Sequence, residues 1–270
     1  MKNIADSNSE VVSATPPGSF KLTLSHSASY SYCARLATTP EDVRRAQALR
    51  FEVFNLELGE GLAASFQTRL DADPFDGVCD HILAEDQNTG EVVGTYRLQT
   101  GASAARHLGY YSAGEFDFAP YEPLRGEIIE LGRACIAKAH RNMLVLQLIW
   151  RAIAFYARTH HGRYLIGCSS VHTQEPRVGA ALYTHLCRAH LAQPALRTSP
   201  LPLAACPLSE MAEEPPPVPK LLSAYLALGG KICGAPAIDR EFKTVDFLTA
   251  LDLEQLPARA VERYFKWPGK

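Results

Sequence analysis

Apolar residues recur along this chain with two different periods, and the way the periods alternate predicts a mixed α/β domain. Thr39 is a suitable helix cap before Pro40-Glu41-Asp42, and Val43, Ala46, Leu49, Phe51, Val53 and Phe54 form the apolar side of a helix reaching about Leu56. Strands are expected at residues 31–37, 80–85 and 91–99, the last two joined by Asp86-Gln87-Asn88-Thr89-Gly90, whose residues suit a hairpin turn. Residues 127–137 read as a further strand. Over 142–160 the polar positions narrow to Gln147, Arg151 and Arg158, so that helix must bury most of its surface against a sheet. A strand at 163–170, a helix at 176–191 and a helix at 219–228 stopped by Gly229-Gly230 follow. Residues 231–238 and 242–251 suggest a second hairpin, and 254–265 a last amphipathic helix. Hairpins interleaved with crossover helices argue for α/β architecture with a single mixed sheet.

Two stretches fall outside this pattern. Residues 1–29 are rich in Ser and Thr, carry Pro16-Pro17-Gly18, and are expected to be a disordered or weakly ordered tail ahead of a domain spanning 30–270. Residues 194–219 hold eight of the 18 prolines, which excludes regular helix or inner strand and predicts a long surface insertion.

Composition narrows the function classes. The 270 residues are 47% hydrophobic and 21% charged, enough apolar material for one large core, and the net charge of −2 with no basic stripe argues against nucleic acid as partner. The most apolar run, residues 143–157, is interrupted by Gln147 and Arg151 and falls short of the ~20 residues a membrane span requires. The N-terminus lacks the apolar core of a secretory signal. Seven scattered cysteines without a C-x-x-C pair suggest reduced thiols in a cytoplasmic protein rather than a disulfide framework or zinc site.

Candidate chemistry lies in four polar stretches: Leu49 to Phe54 around Arg50; Asp71 to His81, with Asp76, Asp80 and His81; Gly94 to Leu98 around Arg97; and Glu130-Leu131-Gly132-Arg133. The acidic second stretch lacks the spacing of a calcium loop, so no metal is expected. In a regular strand Glu130 and Arg133 would point to opposite faces. A β-bulge at Gly132 would reset the alternation, turn both toward one cleft, and splay the strand from its neighbour.

Taken together, Arg50 to Phe54, Asp80, Gly94 to Leu98 and Glu130 to Arg133 resemble motifs of the Gcn5-related N-acyltransferase superfamily, and are shared more distantly with acyl-homoserine-lactone synthases. The match to L-ornithine N(alpha)-acyltransferases is wider. It adds Phe75 to His81, Tyr110 to Asp117, Gly167 to Ser170 and Gly234 to Phe242, and covers about residues 35–265 apart from the insertion. The resemblance implies a splayed mixed sheet with a thioester donor entering between the parallel strands at 127–137 and 163–170. It also implies transfer of a 3-hydroxyacyl chain from the 4′-phosphopantetheine of acyl carrier protein to the α-amine of L-ornithine, giving lyso-ornithine lipid, with no bound cofactor.

On that reading Glu130 accepts the amine proton, directly or through a water, with His81 the alternative base. Arg133, Arg97 and Arg50 are candidates to hold a carboxylate or phosphate. Asp80 and His81 line the amine side, and Asp76 or Asp80 receives the distal ammonium of ornithine. Leu144, Leu148 and Phe155 are candidates for an acyl tunnel. A glycine-rich pyrophosphate loop is missing after the first parallel strand; Lys138, His140, Arg141 and Asn142 stand there as the expected landing patch for an acidic carrier protein. An amphiphilic product suggests transient contact with the inner membrane surface, assisted by Arg259, Arg263 and Lys266. Four readings compete: acylation of glutamine, glycine or tyrosine; a homoserine-lactone-type synthase; covalent relay through Cys135 or Cys168; and a non-catalytic carrier-docking module.

Overall fold

The computed structural model describes residues 9–14, 20–27 and 30–265. Its strands are β1 (Ser9–Ala14), β2 (Phe20–Ser27), β3 (Tyr30–Leu36), β4 (Asp80–Asp86), β5 (Val92–Thr100), β6 (Ile128–Ile136), β7 (Tyr164–Val171), β8 (Lys231–Ile232), β9 (Ala237–Asp239) and β10 (Thr244–Asp252). They form one sheet in the order β1-β2-β3-β4-β5-β6-β7-β10-β8, with β9 also paired to β10. Only the β6–β7 pairing is parallel among these ladders. The main helices are α1 (Pro40–Arg50), α2 (Met143–Thr159), α3 (Pro176–His190) and α4 (Lys220–Ala227). This is the expected mixed sheet flanked by helices.

Helix α2 lies across β2 to β5 and buries Val145, Leu148, Ile149, Ile153 and Tyr156, as its narrow polar stripe requires. Thr39 caps α1 by accepting from Asp42 N–H, and wider turns continue that helix over Phe51–Glu57. Among the described residues, no helix is long and apolar enough to cross a membrane.

Three expectations need correction. First, residues 9–14 and 20–27 of the supposed tail are strands of the sheet. Phe20, Leu22 and Leu24 alternate into the core, a period-two signal that the Ser/Thr-rich composition masked. Second, the strand expected at 231–238 is two pieces. Gly234 interrupts it by passing so close to Thr198 that a Cβ there would sit 2.0 Å from the Thr198 carbonyl oxygen. Third, the last helix starts at Ala258 rather than Glu254, because Pro257 holds Leu256 extended; Lys266 lies outside the described residues.

The Pro-rich insertion carries one short helical turn, Pro194–Leu196, and is tied to the body by bridges from Pro200 to Phe116 and from Ala205 to Ala237. The β5–β6 register passes from Thr95↔Cys135 to Arg97↔Gly132, so β6 carries one extra residue: the bulge is present. Its left-handed residue is Arg133, at φ +51°, rather than Gly132. The β6–β7 ladder ends at Glu130↔Ile166, and the strands part beyond it. Just past the last pair Gly167 still lies against β6, so closely that a Cβ there would sit 2.1 Å from the Leu131 carbonyl oxygen and only glycine fits.

Candidate active site

Alternation along β10 places Asp246, Leu248 and Ala250 on one face of the sheet and Thr249 and Leu251 on the other. A cleft opens on each face. The first, about 550 Å3, is lined by Arg97, Gln99, Tyr111, Ser112, Glu130 and Asp246 among others. The second, about 1240 Å3, is lined largely by apolar side chains including Tyr96, Leu165, Leu222, Tyr225 and Leu251. The two share Leu131, Gly132, Arg133, Cys168, Ser170 and Phe242, so they meet where β6 and β7 part. A polar cavity and an apolar channel thus approach one point from opposite sides. The expected tunnel residues Leu144, Leu148 and Phe155 line neither cleft; Leu148 is core beneath α2.

Glu130 is brought into the first cleft by the bulged strand. Its Oε1 accepts Ser112 N–H at 2.7 Å; its Oε2 accepts Tyr111 N–H at 2.8 Å and the Gln99 side-chain amide at 2.6 Å. Four lone-pair positions meet three donors, so one remains for a water or an amine.

Arginines and aspartates from distant segments interlock beside it. Asp73 accepts from Arg97 at 2.6 Å through Oδ1 and from Arg133 at 2.9 Å through Oδ2. Arg97 also bonds Asp76 at 3.0 Å. Arg133 lies over the rings of Phe242, at 4.0 Å, and Tyr111, at 4.9 Å. Both guanidiniums line the polar cleft.

Arg50 does not. It is 0% exposed, reaching Asp76 at 2.6 Å and pairing with Asp71 at 3.0 Å, and it also donates to the Asp71 carbonyl. It therefore fastens the 71–77 loop from within and touches no cleft. Asp76 is likewise committed: burial alone would raise its carboxyl, but Arg50 and Arg97 hold it well below the usual carboxylate range. Asp80 accepts from the Tyr156 hydroxyl at 2.6 Å and lies outside both clefts. Neither is positioned to receive a substrate ammonium.

His81 is 1% exposed, lines neither cleft, and has its nearest polar contact with the Asp76 carbonyl at 3.2 Å. Burial, then the Arg50 charge, lowers its pKa. Cys135 is raised to about 12 by burial, and Cys168 well above its ordinary value for the same reason, so neither offers the thiolate that a covalent relay needs.

Around the start of α2, Lys138 is exposed, while Arg141 makes a bidentate pair with Glu57 at 2.6 and 2.7 Å. His140 contacts the Tyr32 hydroxyl at 3.1 Å, and Asn142 caps the helix through the Leu144 and Val145 N–H groups.

Sequence reading missed one corner of the polar cleft. Asp246, Asp239 and Cys168 line it there, and Glu115, behind the wall, brings its carboxylate within 4.8 Å of the Cys168 and Asp246 polar atoms. Glu115 and Asp239 stood in quoted motifs without a role, and Asp246 lies in a strand whose residues are all buried, which gave no reason to single it out.

A family model for the acetyltransferase (GNAT) domain matches residues 49–151. An L-ornithine N(alpha)-acyltransferase of Brucella abortus is 32% identical over 255 residues, covering 85% of this chain and 87% of that protein. One from Rhodobacter capsulatus is 31% identical, covering 87% and 95%. Among solved structures, the N-acyl amino acid synthase FeeM from uncultured soil microbes superposes with a TM-score of 0.50 at 14% identity, covering 83% of this chain and 91% of that one, a likeness of fold. The chain is an acyltransferase, and it belongs to the L-ornithine N(alpha)-acyltransferase family of Gcn5-related N-acyltransferases.

Proposed function

We propose that this protein transfers a 3-hydroxyacyl chain from the phosphopantetheine thioester of acyl carrier protein to the α-amine of L-ornithine, forming a lyso-ornithine lipid. The observation that carries the reading is the junction of the two clefts. A chain and thioester in the apolar cleft and an amino acid in the polar one meet only where β6 and β7 part, beside Glu130. The names of the family relatives support the acceptor.

The amine attacks the thioester carbonyl. As the new C–N bond forms, Glu130 takes the amine proton, through a water on its remaining lone pair. Backbone N–H groups on the open side of β6 receive the oxyanion. Collapse breaks the C–S bond, and the proton on Glu130 passes to the departing thiolate. Arg133 and Arg97 attract the amino-acid carboxylate. Glu130 is favoured over His81 as the base because it lines the cleft. Lys138, beside the N-terminus of α2, is suited to an acidic carrier, and the product's amphiphilic character suits brief contact with a membrane surface.

The test is competition among free amino acids with 3-hydroxyacyl carrier protein as donor. Ornithine should be the preferred acceptor; if it is not acylated, or glutamine, glycine or tyrosine is used about tenfold better, the substrate assignment fails.

A further inference from the structure

The three aspartates that meet Arg50, Arg97 and Arg133 are fully matched by cations. The acids on the other side of the polar cleft are not. Among the described residues, Glu115, Asp239 and Asp246 form no ion pair. Asp246 is 4% exposed and its Oδ1 has no hydrogen-bond partner, although the residue lines the cleft; Glu115 Oε2 is shielded and partnerless as well. A buried carboxylate oxygen left without a donor is costly unless a bound group supplies one.

From this arrangement we propose that Asp246 and Asp239 at the cleft wall, with Glu115 behind Asp246, form the subsite that receives the distal ammonium of the ornithine acceptor and so determine its selection. The proposal rests on the ornithine reading above and assigns it residues.

Chain geometry supports the placement. The helical turn Tyr111–Gly114 donates Ser112 N–H to Glu130, and Glu115 follows immediately as its C-cap. Three residues of such a turn advance roughly 6 Å, a span comparable to that separating the two nitrogens of an extended ornithine. An α-amine at Glu130 and a δ-ammonium at Asp246, backed by Glu115, can therefore belong to one molecule, with its carboxylate toward Arg133. The stretches that set the ornithine-type resemblance apart from that to lactone synthases also converge here: Glu115 from the second, Cys168 and Ser170 from the third, Asp239 from the fourth.

A primary ammonium fits the donor set better than a metal ion. It brings three N–H donors to a site rich in acceptors, whereas the Cys168 thiol is held protonated by burial and by Glu115 and Asp246, and is a poor ligand in that form. Burial, together with mutual repulsion among Glu115, Asp246 and Asp239, also raises the Glu115 and Asp246 carboxyls, a penalty that an arriving cation would relieve.

The experiment compares ornithine with norvaline, which keeps the carbon chain and lacks the terminal amine, using one acyl-carrier donor. In the wild-type protein, catalytic efficiency should favour ornithine by about tenfold or more. Asp246→Asn and Glu115→Gln should each reduce that ratio severalfold, mainly through the KM for ornithine, with the KM for the donor little changed. Equal use of ornithine and norvaline by wild-type protein overturns the subsite while leaving ornithine acylation standing. So does full retention of the ratio in both variants, or a stoichiometric metal ion in the purified protein that Asp246→Asn removes. Failure to acylate ornithine at all, with turnover of a neutral amino acid, overturns the functional reading and the subsite together. The wild-type ratio needs no variant to fold.

Discussion

The Oε1 of Glu130 accepts the backbone N–H of Ser112 at 2.7 Å, joining a bulged strand of the sheet to the turn that closes the polar cleft over it. Together with Tyr111 N–H and the Gln99 amide, this contact fixes the carboxylate at the cleft wall with one of its four acceptor positions unfilled.

Replacing Glu130 with Gln keeps the shape and removes the proposed base. Turnover should fall about 100-fold or more. One end of the new amide becomes a donor facing a donor, so stability should also fall, by about 1.5–3 kcal/mol. Steady-state kinetics and denaturant unfolding on the same preparation check both parts; turnover within about threefold of wild type would refute the role.

Arg50→Met probes the interior pairing that Arg50 provides. Removing the guanidinium leaves Asp71 and Asp76 without a main counter-charge in a dry environment, at a cost of about 3–5 kcal/mol. A midpoint of denaturation equal to wild type would show that the 71–77 loop does not depend on this pairing.

The acidic corner predicts a pH-dependent gain in stability when one acid is removed. The Asp246 carboxyl is raised in the folded protein, by burial first and then by Asp239 and Glu60, against the opposing Thr244 and Ser170 hydroxyls. Glu115 is raised with it and also feels Arg133 and Glu130; Cys168 stays protonated. Between the unfolded and folded values the folded state binds more protons, so the stability from protonated Asp246 is present in acid and lost as pH rises. Without ligand, Asp246→Asn should therefore raise the melting temperature relative to wild type more at pH 8 than at pH 5. A difference that is flat or shrinks with pH would contradict the shift.

Lys138→Glu reverses the exposed charge beside the Arg141–Glu57 pair at the start of α2. If an acidic carrier lands there, KM for the carrier-bound donor should rise about tenfold, more at low salt than at high. The effect should be much smaller with a free pantetheine thioester. Equal effects on the two donors would move the docking surface elsewhere.

Much of the architecture was legible because local signals agreed with one another. The hairpin of β4 and β5, the capped α1, the buried α2 and the splay at Glu130 to Arg133 each follow from periodicity, turn residues or face alternation within a short window. The motif resemblance then pointed to acyl transfer. Composition misled at β2, where three core residues sit inside a Ser/Thr-rich stretch.

Long-range partnership lay beyond such windows. Arg50, Arg97 and Arg133 look alike along the chain, and one became interior scaffold while two came to line a cleft; the difference lies in which aspartate each meets across 21 to 60 residues of sequence separation. Asp76 and Asp80, the obvious acids, are occupied by Arg50, Arg97 and Tyr156, whereas Glu115, Asp239 and Asp246 come from segments far apart and share a corner only after the sheet forms. The sequence determined the elements because their signals are local in the chain. Whether a charge is neutralised inside the protein or left for a substrate depends on distances in space, and those exist only in the tertiary structure.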